Sequence, residues 1–488
     1  MLFHTSTFLV FFIVFLTFYL PARRTSAGPW VILVFSNIFY GWWNVQFLGL
    51  LWTTILCDFT LSNLIARSER MSIRKLLLVV SMLTNLGILG FFKYYNFFLS
   101  TLSSAGATGA SEWQIADLTL PVGISFYIFQ SLSYTLDVYR REQEPITSLI
   151  EFAAFVCYFP QLVAGPIERL NNLLPQITKP SPITADQVTS GGFLFCIGFF
   201  RKSIADTFAT FVDPVFTNLG TASPAEVTVA LFGFGLQIYL DFTGYVDMAR
   251  GVSRMLGIEL MVNFDAPYLS TSPREFWRRW HISLSQWLRD YLYISLGGNR
   301  HGLARHLAAL MTTMVLGGLW HGAGLNFMIW GGLQGLYLVL NVLWDKYIFP
   351  RRKPLPGSQS QASPALSVRL PRLRAAAGWC ITFLAMNYAW LYFRCHTFAE
   401  ATLANQKLLE WLAHPVLPKV VPGLVVLVAM VAAMECIIRF KPEAMELRCS
   451  DLTLRRALLQ GTAGGLLFVG GIILLTGIPT QQFIYFQF

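Results

Sequence analysis

The sequence predicts an all-α fold, a polytopic bundle of membrane helices, and three observations predict it. Apolar stretches recur from the first residues to the last, many near the roughly 20 residues that a helix needs to cross a hydrocarbon layer. The 488 residues are 55% hydrophobic and only 13% charged, against about 25% charged in a soluble chain. The Lys and Arg residues fall in short loops between the apolar stretches, the distribution that keeps loops cytoplasmic. Roughly eleven to thirteen membrane segments are expected, in a single integral membrane domain over residues 1–488, with re-entrant and interfacial helices among them.

Taken in order, Leu2 to Leu20 reads as a retained first span, because no basic leader precedes it and no small-residue cleavage pattern follows. Arg23 and Arg24 close it, and RSERMSIRK (Arg67 to Lys75) is basic again, so the stretch between crosses twice. Its outer turn is GWWN (Gly41 to Asn44), where indoles suit the membrane interface. The next apolar run leads out to a loop holding Glu112 and Asp117 without Lys or Arg, and LPVGISFYIFQSLSYTLDVYRR returns to Arg140 and Arg141. The N-terminus is therefore expected outside, and the C-terminus is expected on the same side. Phe152 to Gly257 mixes apolar runs with Pro, Gly and Asp, a pattern open to re-entrant segments lining a cavity. Arg351 to Arg374 is basic and rich in Pro, Ser and Gln, the composition of a flexible cytoplasmic loop. Spans near Ile381 to Tyr392, Val421 to Ile438 and Leu458 to Leu475 complete the chain.

The net charge of +10 serves topology on this reading, since the basic residues share no polar face that would suit nucleic acid. Seven scattered cysteines form no CxxC pair, so no metal site is expected. HExxH, GxSxG and Walker sequences are missing as well.

Three constellations remain. In MVLGGLWHGAGL (Met314 to Leu325), His321 lies sixteen residues beyond Arg305, about 24 Å along a helix and within a hydrocarbon layer of about 30 Å. A polar ring there is costly without partners or a task, so it is either tied to a neighbouring helix or functional. EFWRRWHISLSQWLRDYLY (Glu275 to Tyr293) reads as one interfacial amphipathic helix with Phe276, Trp277, Trp280 and Trp287 on one arc and His281 at its edge. Its Arg278 and Arg279 suit lipid headgroups or the phosphates of a donor. In QIYLDFTGYVDMARG, Asp241 and Asp247 either pair with cations, Arg250 and Arg254 being nearest in sequence, or line a pathway.

The series EFWRRWHISLSQWLRDYLYISLGGNR, GGLWHGA and WGG resembles the membrane-bound O-acyltransferase (MBOAT) family, in the branch that O-acetylates alginate and related exopolysaccharides. NLGILGFFKYYNFF, FPQLVAGPIER, LDFTGYVDMARG and the terminal FIYFQF look like the same branch in the same order. Ser295 and Gln334 depart from it, the latter standing where many members have His. The resemblance implies a helical bundle around a central tunnel, His321 as catalytic residue and His281 as its assisting partner on the donor side. It implies acetyl-CoA as acyl donor with no bound cofactor, and transfer across the inner membrane to a polymer such as alginate or cellulose. The implied partners are an SGNH-type acetyltransferase, an exopolysaccharide biosynthesis complex and membrane lipid, with no nucleic acid.

Acyl transfer to a hydroxyl needs a proton acceptor, and imidazole titrates nearest the working pH. Trp280, Asn299 and backbone N–H groups are candidates for supporting the tunnel and the oxyanion. Three other readings stay open: delivery of another acyl group, such as D-alanyl, to a cell-wall polymer, a transporter or channel subunit with His321, Asp241 and Asp247 along its path, and a structural subunit of a polysaccharide secretion complex.

Overall fold

A computed structural model describes the chain except residues 105, 107–108, 116–117, 349–363, 417–421, 441–453, 478–483 and 485–488. No strand occurs among the described residues. The main helices are α1 (Ser6–Ala22), α2 (Gly28–Gly41), α3 (Phe47–Arg67), α4 (Met71–Ser104), α5 (Ile124–Arg140), α6 (Leu149–Cys157), α7 (Phe159–Leu162), α8 (Leu170–Thr178) and α9 (Ala185–Thr217). They continue as α10 (Pro224–Met255), α11 (Pro273–Arg279), α12 (Ile282–Trp287), α13 (Leu303–His321), α14 (Leu325–Leu343), α15 (Pro364–Arg394), α16 (Phe398–Ala413), α17 (Pro422–Phe440) and α18 (Leu454–Leu475). Among the described residues five helices are long and apolar enough to cross a membrane: Gln46–Arg67, Met71–Ser104, Pro224–Met255, Leu303–His321 and Leu325–Ile348; shorter apolar helices lie at Ser6–Ala22, Gly28–Gly41, Leu424–Ile437 and Gly461–Leu475.

Two compact units divide the chain, Met1–Ile204 with Leu240–Val262 and Glu446–Phe488 in the first, Ala205–Tyr239 with Asn263–Met445 in the second. In the first unit, Phe11 and Phe15 of α1 meet Phe159 of α7 edge-on at 5.4 and 5.2 Å. Aromatic pairs at such distances prefer this geometry. Between Phe152 and Phe159 every side chain is fully buried, and the chain there runs through the short helices α6 and α7, broken at Tyr158. Most of the remaining stretch to Gly257 is carried by the long helices α9 and α10. Asp58 of α3, also fully buried, accepts from Ser81 Oγ at 2.6 Å and Asn85 Nδ2 at 2.9 Å on α4 and from Ser131 Oγ on α5. A buried carboxylate is held by such donors when no cation pairs with it.

Two expectations are revised. The stretch Glu275 to Tyr293 is not one helix: α11 ends at Arg279, α12 begins at Ile282, and a π-helical turn covers Leu288–Tyr293. The break lies at His281, whose φ of 43° is left-handed, a conformation costly for a non-glycine residue. Of the basic loop expected from Arg351 to Arg374, residues 351–363 lie outside the described residues, and the remainder belongs to α15, which starts at Pro364. Asp117, assigned to an outer loop, also lies outside the described residues.

Candidate active site

The second unit carries both motif histidines. Helices α13 and α14 form a hairpin whose backbones touch. A Cβ on Gly318 would lie 2.2 Å from the Phe327 carbonyl oxygen, and one on Gly331 2.4 Å from that of Met314. Small residues permit such close helix contact in a membrane. His321 is the last residue of α13, and the chain turns through extended Gly322 into Gly324 ahead of α14. A Cβ at Gly322 would strike the Phe327 ring at 2.1 Å, so the turn holds only with glycine there.

Three rings stand edge-on around the His321 imidazole: Trp320 at 4.7 Å, Trp330 of α14 at 5.0 Å and Phe393 of α15 at 5.3 Å between centroids. Seven per cent of His321 stays exposed, and none of His281 does. Both imidazoles are buried, and His321 is the one placed at the turn between α13 and α14. The carbonyl end of α13 lies beside it and favours a positive ring as one forms.

His281 is pinned by Asn263, whose Oδ1 accepts the Ser283 backbone N–H and hydroxyl, both at 3.0 Å, and lies 3.3 Å from His281 Nδ1. The N–H of Ile282 donates to the Asn263 carbonyl at 2.9 Å, and that of Asp265 to the Arg279 carbonyl at 3.0 Å. These bonds hold the left-handed residue in place. Because the Ser283 N–H can only donate, it fixes which end of the Asn263 amide is oxygen, so Nδ1 of His281 carries the proton and Nε2 the lone pair. Burial holds this imidazole well below the usual histidine range. Trp320 joins the two sites, its ring 6.3 Å from His281 and 4.7 Å from His321.

The other candidates separate. Trp280 stacks on Phe276 at 5.4 Å and leans on Trp390 at 5.0 Å, deep in an aromatic cluster. Asn299 is exposed in the turn after the π-helical segment. Arg279 is buried and paired with Glu275 at 2.9 Å and Asp265 at 3.6 Å, which leaves Arg278 as the exposed member of the pair. Asp241 and Asp247 belong to the first unit. Asp241 pairs with Lys202 at 2.8 Å and accepts the Ile484 N–H at 2.7 Å, while Asp247 pairs with Arg201 and, at 3.5 Å, Arg250. Arg254, the other expected partner, binds Glu259 instead. Among the described residues no group of three or more His, Cys, Asp and Glu is placed to hold a metal ion.

The family model of the membrane-bound O-acyltransferases matches residues 37–387, a span that contains Asn263, His281, His321 and both helices of the hairpin. The chain belongs to this family. This MBOAT chain is 35% identical over 515 residues to a probable alginate O-acetylase AlgI of Pseudomonas putida, an alignment that covers all of both chains. It is 38% identical to the AlgI of Pseudomonas aeruginosa (82% of this chain, 73% of the relative) and 33% identical to a peptidoglycan O-acetyltransferase of Helicobacter pylori (76% and 72%). The chain is accordingly a polytopic membrane acyltransferase.

One feature of this MBOAT site escaped the sequence motifs. Asn326, Trp330 and Gln334 follow one another at i, i+4 and i+8 along α14 and are 3%, 1% and 0% exposed. Asn326 Nδ2 donates to the Cys395 carbonyl at 2.8 Å, and Gln334 Oε1 accepts from Trp277 Nε1 at 3.2 Å. The spacing was readable in NFMIWGGLQ, but single-residue motifs drew attention to the histidine and not to the opposite wall.

Proposed function

We propose that the protein moves an acetyl group from acetyl-CoA, taken from the cytoplasm, to a hydroxyl on the way to an O-acetylated exopolysaccharide such as alginate or cellulose. The observation that carries the reading is His321, buried at the end of α13 inside a cage of three rings. The relatives that bear the names alginate O-acetylase and peptidoglycan O-acetyltransferase support acetyl as the group moved. Location in the bacterial inner membrane with both termini periplasmic, and delivery to an SGNH-type partner within an exopolysaccharide complex, belong to the same proposal.

In the reaction, the acceptor oxygen forms a bond to the thioester carbonyl carbon while its proton passes to His321. The carbonyl π pair moves onto oxygen. Collapse then restores the C=O bond and breaks C–S, and the departing thiolate takes the proton back from His321. General-base assistance of this kind contributes typically 10²–10⁴-fold, and the apolar ring cage keeps water from the thioester. His281, pinned by Asn263, meets the Trp320 ring that packs on His321 and acts through it as a positioning residue. Exposed Arg278 suits the phosphates of the donor.

Membrane vesicles carrying the protein, given radiolabelled acetyl-CoA at their cytoplasmic face, test the donor and the side together. Label in ester linkage on polymer or partner protein is the expected result. Ester formation from a carrier-bound D-alanyl donor instead, or ion flux without any ester, would replace this reading with the D-alanyl or the transport reading.

A further inference from the structure

Each member of the α14 stripe has one buried polar atom without a hydrogen-bond partner: Asn326 Oδ1, Trp330 Nε1 and Gln334 Nε2. The assignments are secure at both amides. The Cys395 carbonyl can only accept, so Asn326 presents nitrogen to it and oxygen remains; the Trp277 indole can only donate, so Gln334 presents oxygen and its NH₂ remains. Leaving such an atom buried and unpaired costs about 1–3 kcal/mol, and three in succession on one helix face are unusual in a folded protein.

Their location gives them a use. Trp330 meets the His321 imidazole at 5.0 Å and 82°, and also meets Trp277, the indole that holds Gln334, at 6.0 Å. Two N–H donors one helical turn apart therefore lie on the helix whose Trp330 ring packs on the imidazole assigned as base. We propose that Trp330 Nε1 and Gln334 Nε2 bind the acyl carbonyl oxygen and take up its negative charge when the hydroxyl adds, while Asn326 Oδ1 accepts from a second hydroxyl of the acceptor. This rests on the acyl-transfer reading and assigns the oxyanion donors that it requires. Donors aimed at an oxyanion act most strongly in a dry site.

The test uses the purified full-length protein with p-nitrophenyl acetate and, separately, acetyl-CoA as acyl probes. Trp330→Phe keeps the ring and removes the N–H. Gln334→Glu keeps the acceptor for Trp277 and replaces NH₂ by oxygen. Each is expected to lower kcat by about 10²-fold with KM within about threefold, whereas Trp277→Phe, which removes only the indole anchor, changes kcat less. Equal loss in Trp277→Phe and Gln334→Glu would make Gln334 a packing residue, and unchanged kcat in folded Trp330→Phe and Gln334→Glu overturns the assignment. Thermal melting and gel filtration establish folding; if the Glu variant does not fold, Trp330→Phe decides alone. Failure of the acetyl-CoA reading looks different, as wild-type turnover of the p-nitrophenyl ester without turnover of acetyl-CoA.

Discussion

Asn263 Oδ1 lies 3.3 Å from His281 Nδ1 while it also accepts two hydrogen bonds from Ser283. One amide oxygen thus sets the tautomer of a buried imidazole and closes the break between α11 and α12. Asn263→Ala leaves three donors without this acceptor, and an unmet buried polar group costs about 1–3 kcal/mol. A drop in thermal midpoint in detergent is expected, together with slower transfer at unchanged KM. A variant that melts and turns over like wild type would remove Asn263 from the site.

Burial depresses the folded-state pKa of His281, and the sign follows from proton binding. The unfolded chain takes up a proton near the ordinary histidine value of about 6.5, whereas the folded protein does so only at lower pH. The stabilisation is complete above that value and is lost as pH falls below it. Melting midpoints measured from pH 8 down to 5 should fall, and His281→Gln should flatten the slope. Equal slopes in the two proteins would mean that His281 titrates normally in the fold.

Adjacent glycines of α14 are expected to behave oppositely. A Cβ at Gly331 would lie 2.4 Å from the Met314 carbonyl oxygen, whereas one at Gly332 meets nothing within 4 Å. Gly331→Ala must push α13 from α14 and should cost about 1–3 kcal/mol, as overpacking does; Gly332→Ala should be neutral or slightly stabilising. Denaturation midpoints of the two variants separate these outcomes.

The Asp241–Lys202 pair distinguishes a structural carboxylate from one lining an ion path. Both side chains are almost fully buried at 2.8 Å separation. Removing one partner from a buried pair costs about 3–5 kcal/mol, while replacing both by apolar residues is often neutral. Asp241→Asn should therefore lower expression and stability, and the double variant Lys202→Met/Asp241→Leu should recover part of both, short of the cost of the Ile484 N–H left without its acceptor, with acyl transfer intact. Lost transfer in a stable double variant would give Asp241 a direct role.

Much of this was legible in the sequence because apolar length and loop charge respond to the bilayer, and both act locally. The long apolar helices and the apolar surroundings of His321 follow from such local signals, whereas the turn at Gly322 that ends α13 beside it was not read. The break at His281 was not legible: the aromatic residues from Phe276 to Trp287 keep helical spacing, and only the bond from distant Asn263 reveals that the chain turns left-handed. The cation partners of Asp241 and Asp247 were missed for the same reason, since Lys202 and Arg201 come from α9, about forty residues away in sequence. Nearest neighbours in sequence supplied only Arg250.

The proposed role of His321 is measured most directly in cells that lack the native gene and carry either the wild-type protein or His321→Ala, matched for membrane level by immunoblot. Base-labile acetate on the envelope polysaccharide should return with the wild type and stay at the deletion background with His321→Ala. Acetate restored by the alanine variant at equal protein level would contradict that role.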